Sequence, residues 1–306
     1  MKKNNLKLLT VLAIATLQLQ TTKAQDADSL LNALTANKTP AKVIATFKST
    51  HLVLLNTNET QKKNDLAFWI AHRFGDIGGE FGGSHTLFGL DNAEDNYIGF
   101  DYGISDKLTL GLGRSRRDET YNLLVKYKLI EQMEKGLPFS LTLFAQSAAA
   151  TRKPYFDNEF TSQAQRISHY ISAIFATKVN SGLSFLVSPG VLLRDKVADA
   201  GDKKALLSVG LGGRFKIYKR FSLITDYTLV QGVGRPQNLN TKYYNPLGAG
   251  IEIETGGHVF SLNFQNSPYI IENNFIADTQ KSWTKGGVRW GFAVSRNFSL
   301  FQKKKN

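Results

Sequence analysis

The residues able to do chemistry in this chain are charged side chains on short alternating segments. Their parity decides what they can do. Side chains change faces at every residue of a strand. Tracing that alternation puts Arg73, Lys126, Lys128, Arg214, Lys216 and Arg289 on one common face, with Asp101, Asp226, Glu252 and Glu254 among them. Six cations and four anions turned toward one interior have two uses. They can pair into an ion network that fills a narrow space, because an unpaired desolvated charge is costly. They can instead line a polar path with a slight preference for anions.

Nucleophilic and metal chemistry find less support. Ser168 and His169 are adjacent, hence on opposite faces, and cannot form a nucleophile–base pair with each other. His72 falls on the outward face near a strand end, with no Ser tied to it by spacing, and no G-x-S-x-G occurs. Asp91, Asn92, Glu94, Asp95 and Asn96 offer oxygen atoms to a calcium ion but lack the spacing and turn glycine of an EF-hand loop, so a solvated loop is favoured. Gly78-Gly79 and Gly82-Gly83 mark tight turns; no strand-to-helix context makes them a phosphate cradle. The chain has no Cys, which excludes disulfides, thiolate metal sites and lipid attachment at a Cys. No catalytic, metal or cofactor site is assigned. Arg114, Arg116 and Arg117 gather at the outer end of a strand, where they either keep the surface soluble or clamp anionic lipid head groups.

The elements that must position these groups alternate strongly. Leu108, Leu110 and Leu112 share one face and Thr109, Gly111 and Gly113 the other. Near the end of the chain Val288, Trp290, Phe292, Val294, Phe298 and Leu300 oppose Gly291, Ala293, Ser295 and Asn297. One face is greasy, the other small or polar, which suits a barrel that meets lipid outside and encloses a lumen. Twelve such segments are expected: 65–74, 97–104, 107–114, 121–130, 138–147, 167–178, 183–192, 204–217, 220–230, 247–254, 259–265 and 288–300. The connections alternate between short and mostly long, with 115–120 the brief exception among the long ones. Short periplasmic turns and longer outer loops give this rhythm, and an even strand count leaves both ends on the periplasmic side. The segment 43–55 is also strand-like and would break the parity if it spanned. It is therefore expected in the lumen or at the periplasmic rim, as a plug-like or edge-covering piece. Aromatic residues near strand ends, among them Trp69, Tyr97, Tyr121, Tyr127, Tyr170 and Tyr218, read equally as interface girdles or as ordinary strand propensity.

The N-terminus reads as a secretory signal over residues 1–24. Lys2, Lys3 and Lys7 precede a short apolar stretch, Leu8 to Leu19, with Thr22 and Ala24 before Gln25. The formal charge of the chain is +13; residues 1–24 hold four Lys and no acid, so removing them leaves +9. No basic stripe interleaved with aromatics accompanies that charge, so nucleic acid is not an expected partner. The organisation expected is a signal peptide (1–24), a periplasmic or plug segment (25–60), a barrel (61–302) and a basic tail (303–306).

Several short motifs add a resemblance. Phe47-Lys48-Ser49-Thr50, His72-Arg73-Phe74-Gly75-Asp76, Phe88-Gly89-Leu90-Asp91-Asn92, Gly111-Leu112-Gly113-Arg114-Ser115, Tyr127-Lys128-Leu129 and Glu254-Thr255-Gly256-Gly257-His258-Val259-Phe260 resemble a family of Bacteroidota β-barrels, domain of unknown function 5777. The similarity runs over roughly residues 43 to 300. It implies an outer-membrane barrel and no activity.

The expectation is thus an all-β transmembrane antiparallel barrel of twelve strands in the outer membrane of a Gram-negative bacterium. Its leading function is a narrow channel or transporter for small polar solutes, with anions favoured. A non-conducting barrel that docks periplasmic or surface partners is the alternative, and a lipid-modifying enzyme a weaker one. Expected partners are outer-membrane lipid and lipopolysaccharide, the barrel-assembly machinery and a periplasmic partner met through residues 25–60.

Overall fold

The computed structural model describes residues 41–301. Residues 1–40 and 302–306, on which the expected signal peptide and basic tail fall, lie outside them. Twelve strands close into one antiparallel barrel. They are β1 (Asp65–Asp76), β2 (Ala93–Ser105), β3 (Leu108–Ser115), β4 (Thr120–Ile130), β5 (Ser140–Ala150), β6 (Ile167–Lys178), β7 (Leu183–Arg194), β8 (Ala205–Tyr218), β9 (Phe221–Leu229), β10 (Leu247–Thr255), β11 (His258–Gln265) and β12 (Arg289–Ser299). Each pairs with its neighbours in sequence, and β1 meets β12 from Asp65↔Ser299 to Asp76↔Arg289, with a register shift after Arg73. Closure leaves no strand edge with unpaired backbone groups, the condition for crossing lipid.

Alternation places the side chains as expected. On β3, Leu110 and Leu112 face outward while Thr109, Gly111 and Gly113 face in. Leu123, Val125, Ile171, Phe185 and Leu223 extend this exposed apolar band around the wall. An uncovered band of this kind is stable only against lipid.

The inward face departs from the expectation of a small and polar lining. Leu124, Phe144, Ile174, Leu186, Leu206 and Ile224 point inward and are buried. They join Phe47 and Leu52–Leu55 of the N-terminal segment, and Tyr269, Phe275 and Ile276 of the β11–β12 loop, in a single apolar cluster. The barrel interior is packed like a core because two pieces of chain occupy it, one entering from each end. Trp69, Tyr97 and Tyr170 also turn inward and are buried, so they belong to no interface girdle; Tyr121, Tyr127 and Tyr218 are exposed.

Glycines on the inner wall make room for the N-terminal piece. A Cβ at Gly212 would stand 2.5 Å from Leu52 Cδ1, and one at Gly248 would stand 2.5 Å from Val53 Cγ1. These are the small residues that read from sequence as an open lumen.

Candidate functional site

The N-terminal segment enters beside the β4–β5 turn, where Lys42 bridges to Met133 and pairs with Glu131 at 2.6 Å. It reverses inside the lumen. Leu52 N–H donates to Leu55 O, Thr57 N–H donates to Thr50 O, both at 2.9 Å, and His51 bridges to Asn56. A hairpin this small satisfies few of its own backbone groups, and a buried orphan amide is costly. The wall supplies the missing partners.

Three consecutive amides at the tip, those of Val53, Leu54 and Leu55, donate to one oxygen of Asp226 on β9 at 2.8, 2.7 and 3.1 Å. Successive N–H groups converging on an anion form a nest. The carbonyls meet cations. Arg73 on β1 donates from Nη2 to Val53 O at 2.6 Å and from Nη1 to Asn263 Oδ1 at 2.9 Å. Lys126 on β4 donates to Thr50 O at 3.0 Å and Thr57 O at 3.3 Å. The His51 ring lies flat on Trp69, 3.8 Å between centroids at an interplanar angle of 1°. Nearer the periplasmic end, Ser184 donates to Thr46 O, Asn58 donates to Ser140 Oγ, and Thr142 donates to Asn58 O.

Burying Val53, Leu54 and Leu55 contributes about 1.5–3 kcal/mol per side chain, while fixing backbone and side chain costs about 1–2 kcal/mol per residue or more. The apolar contacts therefore do little more than offset the ordering of the same residues. The charged wall decides whether the hairpin stays.

The second occupant is the β11–β12 loop. Its one helical turn, α1 (Glu272–Phe275), is buried except for Asn274. Glu272 Oε1 accepts both the backbone N–H and the side-chain amide of Asn56 at 2.8 Å. Asn273 bonds Gln146 at 2.9 Å and Ser168 at 3.0 Å. Arg235 donates to Ala277 O at 2.9 Å, pairs with Asp202 at 2.6 Å and lies over the Tyr243 ring. Burial and the loss of hydration lower the Arg235 guanidinium from its ordinary range, against the pull of Asp202.

The ten lumen candidates divide into groups. Arg73, Lys126 and Asp226 converge on the hairpin. Asp101 is buried on the inner face of β2. Arg214 bonds Glu252 at 2.7 Å and Glu254 at 2.5 Å, and Lys48 of the N-terminal segment reaches Glu254 at 3.3 Å. Lys128 meets Glu59 at 3.7 Å. Arg289 forms an ion pair with Asp76 at 2.9 Å near the outer mouth, where Lys281 stands 3.7 Å from the same carboxylate. Lys216 is exposed beyond the periplasmic end of the inner wall and joins no ion pair among the described residues. At the outer rim Arg114 and Arg116 are exposed. Arg117 is not: it pairs with Glu94 at 2.6 Å and covers the Tyr269 ring, so it holds the mouth instead of facing lipid.

Glu272, Asn56 and Asn263 escaped the sequence argument, and Trp69 entered it only as an aromatic of a girdle or of ordinary strand propensity. A signal for Glu272 existed, because the run Tyr269-Ile270-Ile271-Glu272-Asn273-Asn274-Phe275-Ile276 is too apolar for an outer loop in water. Sequence reasoning also missed a cross-strand contact on the outer wall, Ser147 Oγ to His169 Nδ1 at 2.8 Å. Among the described residues His169 has no carboxylate partner. The neighbouring backbone N–H groups belong to strand ladders and cannot form an oxyanion hole. This pair lacks the remaining parts of a hydrolase site. No group of three or more His, Cys, Asp or Glu able to hold a metal occurs among the described residues.

The barrel is similar to a NanC porin at 7% identity, over 77% of this chain and 100% of that one, with a TM-score of 0.44. It is similar to an outer-membrane channel from Pseudomonas putida F1 at 11% identity, over 79% and 98%, with a TM-score of 0.49. For Omp33 of Acinetobacter baumannii the identity is 9%, the coverage 77% and 99%, and the TM-score 0.40. No curated protein matches the chain. The family model for a membrane-bound beta barrel domain matches residues 47–298, a stretch that takes in the hairpin, the β11–β12 loop and all but the last residue of the strands. With its closed barrel, its lipid-facing band and this match, the chain is an outer-membrane protein that belongs to the membrane-bound beta barrel family, domain of unknown function 5777.

Proposed function

We propose that the protein is an outer-membrane channel for small polar solutes, closed in the described state by its own N-terminal hairpin. One observation carries this: the polar groups that would line a path, Arg73, Lys126 and Asp226, are engaged by the backbone of a segment continuous with the wall only through residues 58–64. Such a segment can leave without breaking a strand ladder. Its departure would expose an inner surface that carries both signs: Arg73, Lys126, Lys128 and Arg214 stand against Asp101, Asp226, Glu252 and Glu254, so with Lys216 outside the lumen the excess of cations counted from sequence does not carry over. The barrel-wall motifs quoted above support a Bacteroidota source.

The test is single-channel current in a planar bilayer, comparing the mature chain with a variant lacking residues 25–60. The expected result is silence from the former and steady current from the latter. Silence from both, with the truncated barrel correctly folded, would sink the channel and favour docking. The docking alternative has its own support in a cavity of about 1050 Å³ at the periplasmic mouth. Residues 42–50 and 59–62 form much of its wall together with the strand ends, so a periplasmic partner would meet the N-terminal segment there. The partners expected at the rim, lipid and lipopolysaccharide, would meet Arg114 and Arg116.

A further inference from the structure

We infer that the barrel relays a signal between its two faces: withdrawal of the outer β11–β12 loop releases the N-terminal hairpin toward the periplasm, and the reverse. The inference goes beyond the channel and does not require conduction.

The geometry makes the two occupants one unit. Glu272 is 2% exposed, and among the described residues no cation bonds its carboxylate. Its partners on the hairpin are the two N–H donors of Asn56. If the hairpin left alone, the Glu272 carboxylate would lose both of these donors, at the cost of two hydrogen bonds to a charged acceptor. Moving the loop outward to water removes that cost. If the loop left alone, Asn56 would lose its acceptor. Leu52–Leu55 would also lose Phe275 and Ile276 from their shared cluster. Each occupant is thus held in part by the other, so release of one lowers the hold on the second, the kind of shared element that couples distant sites.

The loop is also connected to the outer surface. Arg235 holds Ala277 O and Asp202 together, and Asp202 in turn bonds Arg194 at 2.5 Å. Asp199 of the same β7–β8 loop accepts the amides of Asn240 and Thr241 in the β9–β10 loop. A ligand that rearranged these outer loops would therefore pull on the occupant of the lumen. At the other end Lys42 and Lys48 of the N-terminal segment line the mouth cavity, where a periplasmic partner would meet them.

The absence of native Cys gives a direct test. Leu54→Cys places a reporter thiol at a site that is 2% exposed, on the hairpin tip. Labelling by a water-soluble maleimide is timed in detergent-folded protein, with gel mobility before and after heating as the check on the barrel. Glu272→Ala and Phe275→Ala, both on the outer loop, should speed labelling of this hairpin reporter about ten-fold, within the usual range of coupling between sites. Lys153→Ala, on an exposed part of another outer loop, should not. In the reverse direction, Asp226→Ala should speed labelling of a second reporter, placed on the loop by Ile276→Cys. Unchanged labelling of the hairpin reporter in both loop variants of a folded barrel would overturn the relay. So would an Asp226→Ala protein in which the hairpin reporter is freed but the loop reporter stays protected. Faster labelling beside a silent bilayer would keep the relay and discard the channel. Current from the truncated chain beside unresponsive labelling would do the opposite.

Discussion

A carboxylate oxygen that accepts three amides is a strong point of attachment, and Asp226 gives one to the hairpin tip. Bonds to a charged acceptor contribute about 1.5–3 kcal/mol each, and a buried donor left without its acceptor costs a similar amount. Asp226→Leu keeps the bulk and removes the acceptor. It should lower the stability of the detergent-extracted barrel by about 3–5 kcal/mol, read as a lower urea midpoint for loss of the heat-modifiable form. An unchanged midpoint would mean that the hairpin is held by its apolar contacts alone. The inward direction of Asp226 was legible from strand parity. Its partners were not, because they are backbone amides some 170 residues earlier. Glu159, in the β5–β6 loop, offers a pH test at the same scale. Arg152 holds its carboxyl well below the usual range, with help from Lys196 and the Tyr155 amide. A carboxyl lowered in the folded state stabilises fully above its unfolded value, here 4.5, and the effect fades as pH falls below that. Exchange protection of the Tyr155 amide, corrected for its intrinsic rate, should hold at neutral pH and fall progressively below pH 4.5. Protection that persists undiminished in strong acid would show that Glu159 does not order this loop.

Strands and occupants were legible to different degrees. All twelve spanning strands were readable, since lipid outside and a filled interior inside impose a period of two on each of them. The segment 43–55 read as strand-like, but parity ruled out a thirteenth strand in the wall. Its hairpin form was hidden, because Asp226, Arg73 and Lys126 replace the ladder partner that a strand would need. The β11–β12 loop was treated as an ordinary outer loop despite its apolar run. Its burial depends on Leu52–Leu55 having already filled the opposite side. The inner-wall glycines make the element-scale prediction. Gly212→Val or Gly248→Val would put a side chain where Leu52 or Val53 sits. Overpacking of this kind costs about 1–3 kcal/mol, and the cheapest relief is to expel the hairpin, because the wall is held by strand ladders. A thiol introduced by Leu54→Cys should then label rapidly in a barrel that still shifts on heating. Loss of the heat-modifiable form instead would mean that hairpin and wall fold as one inseparable unit.

The whole molecule is a wall that sequence pattern specifies locally and an interior that it does not. Pattern along the chain determined the strand count, the antiparallel order, the lipid-facing side and the identity of most inward charges. Each of these follows from short-range alternation and from the rule that lipid tolerates no unpaired backbone. Only the tertiary structure decided what those charges do. From sequence they served as an internal network or as a lining. Folded, Arg73, Lys126 and Asp226 hold a hairpin, Arg214 joins Glu252 and Glu254, and Arg289 joins Asp76. The same holds for the apolar residues of the inner face, whose partners Phe47 and Phe275 lie far away in sequence on segments that enter from opposite ends. Alternation reports which face a side chain takes and carries no information about what arrives on that face. Contacts across a lumen depend on where distant segments come to rest, and that was settled by packing and by the need to satisfy every buried polar group.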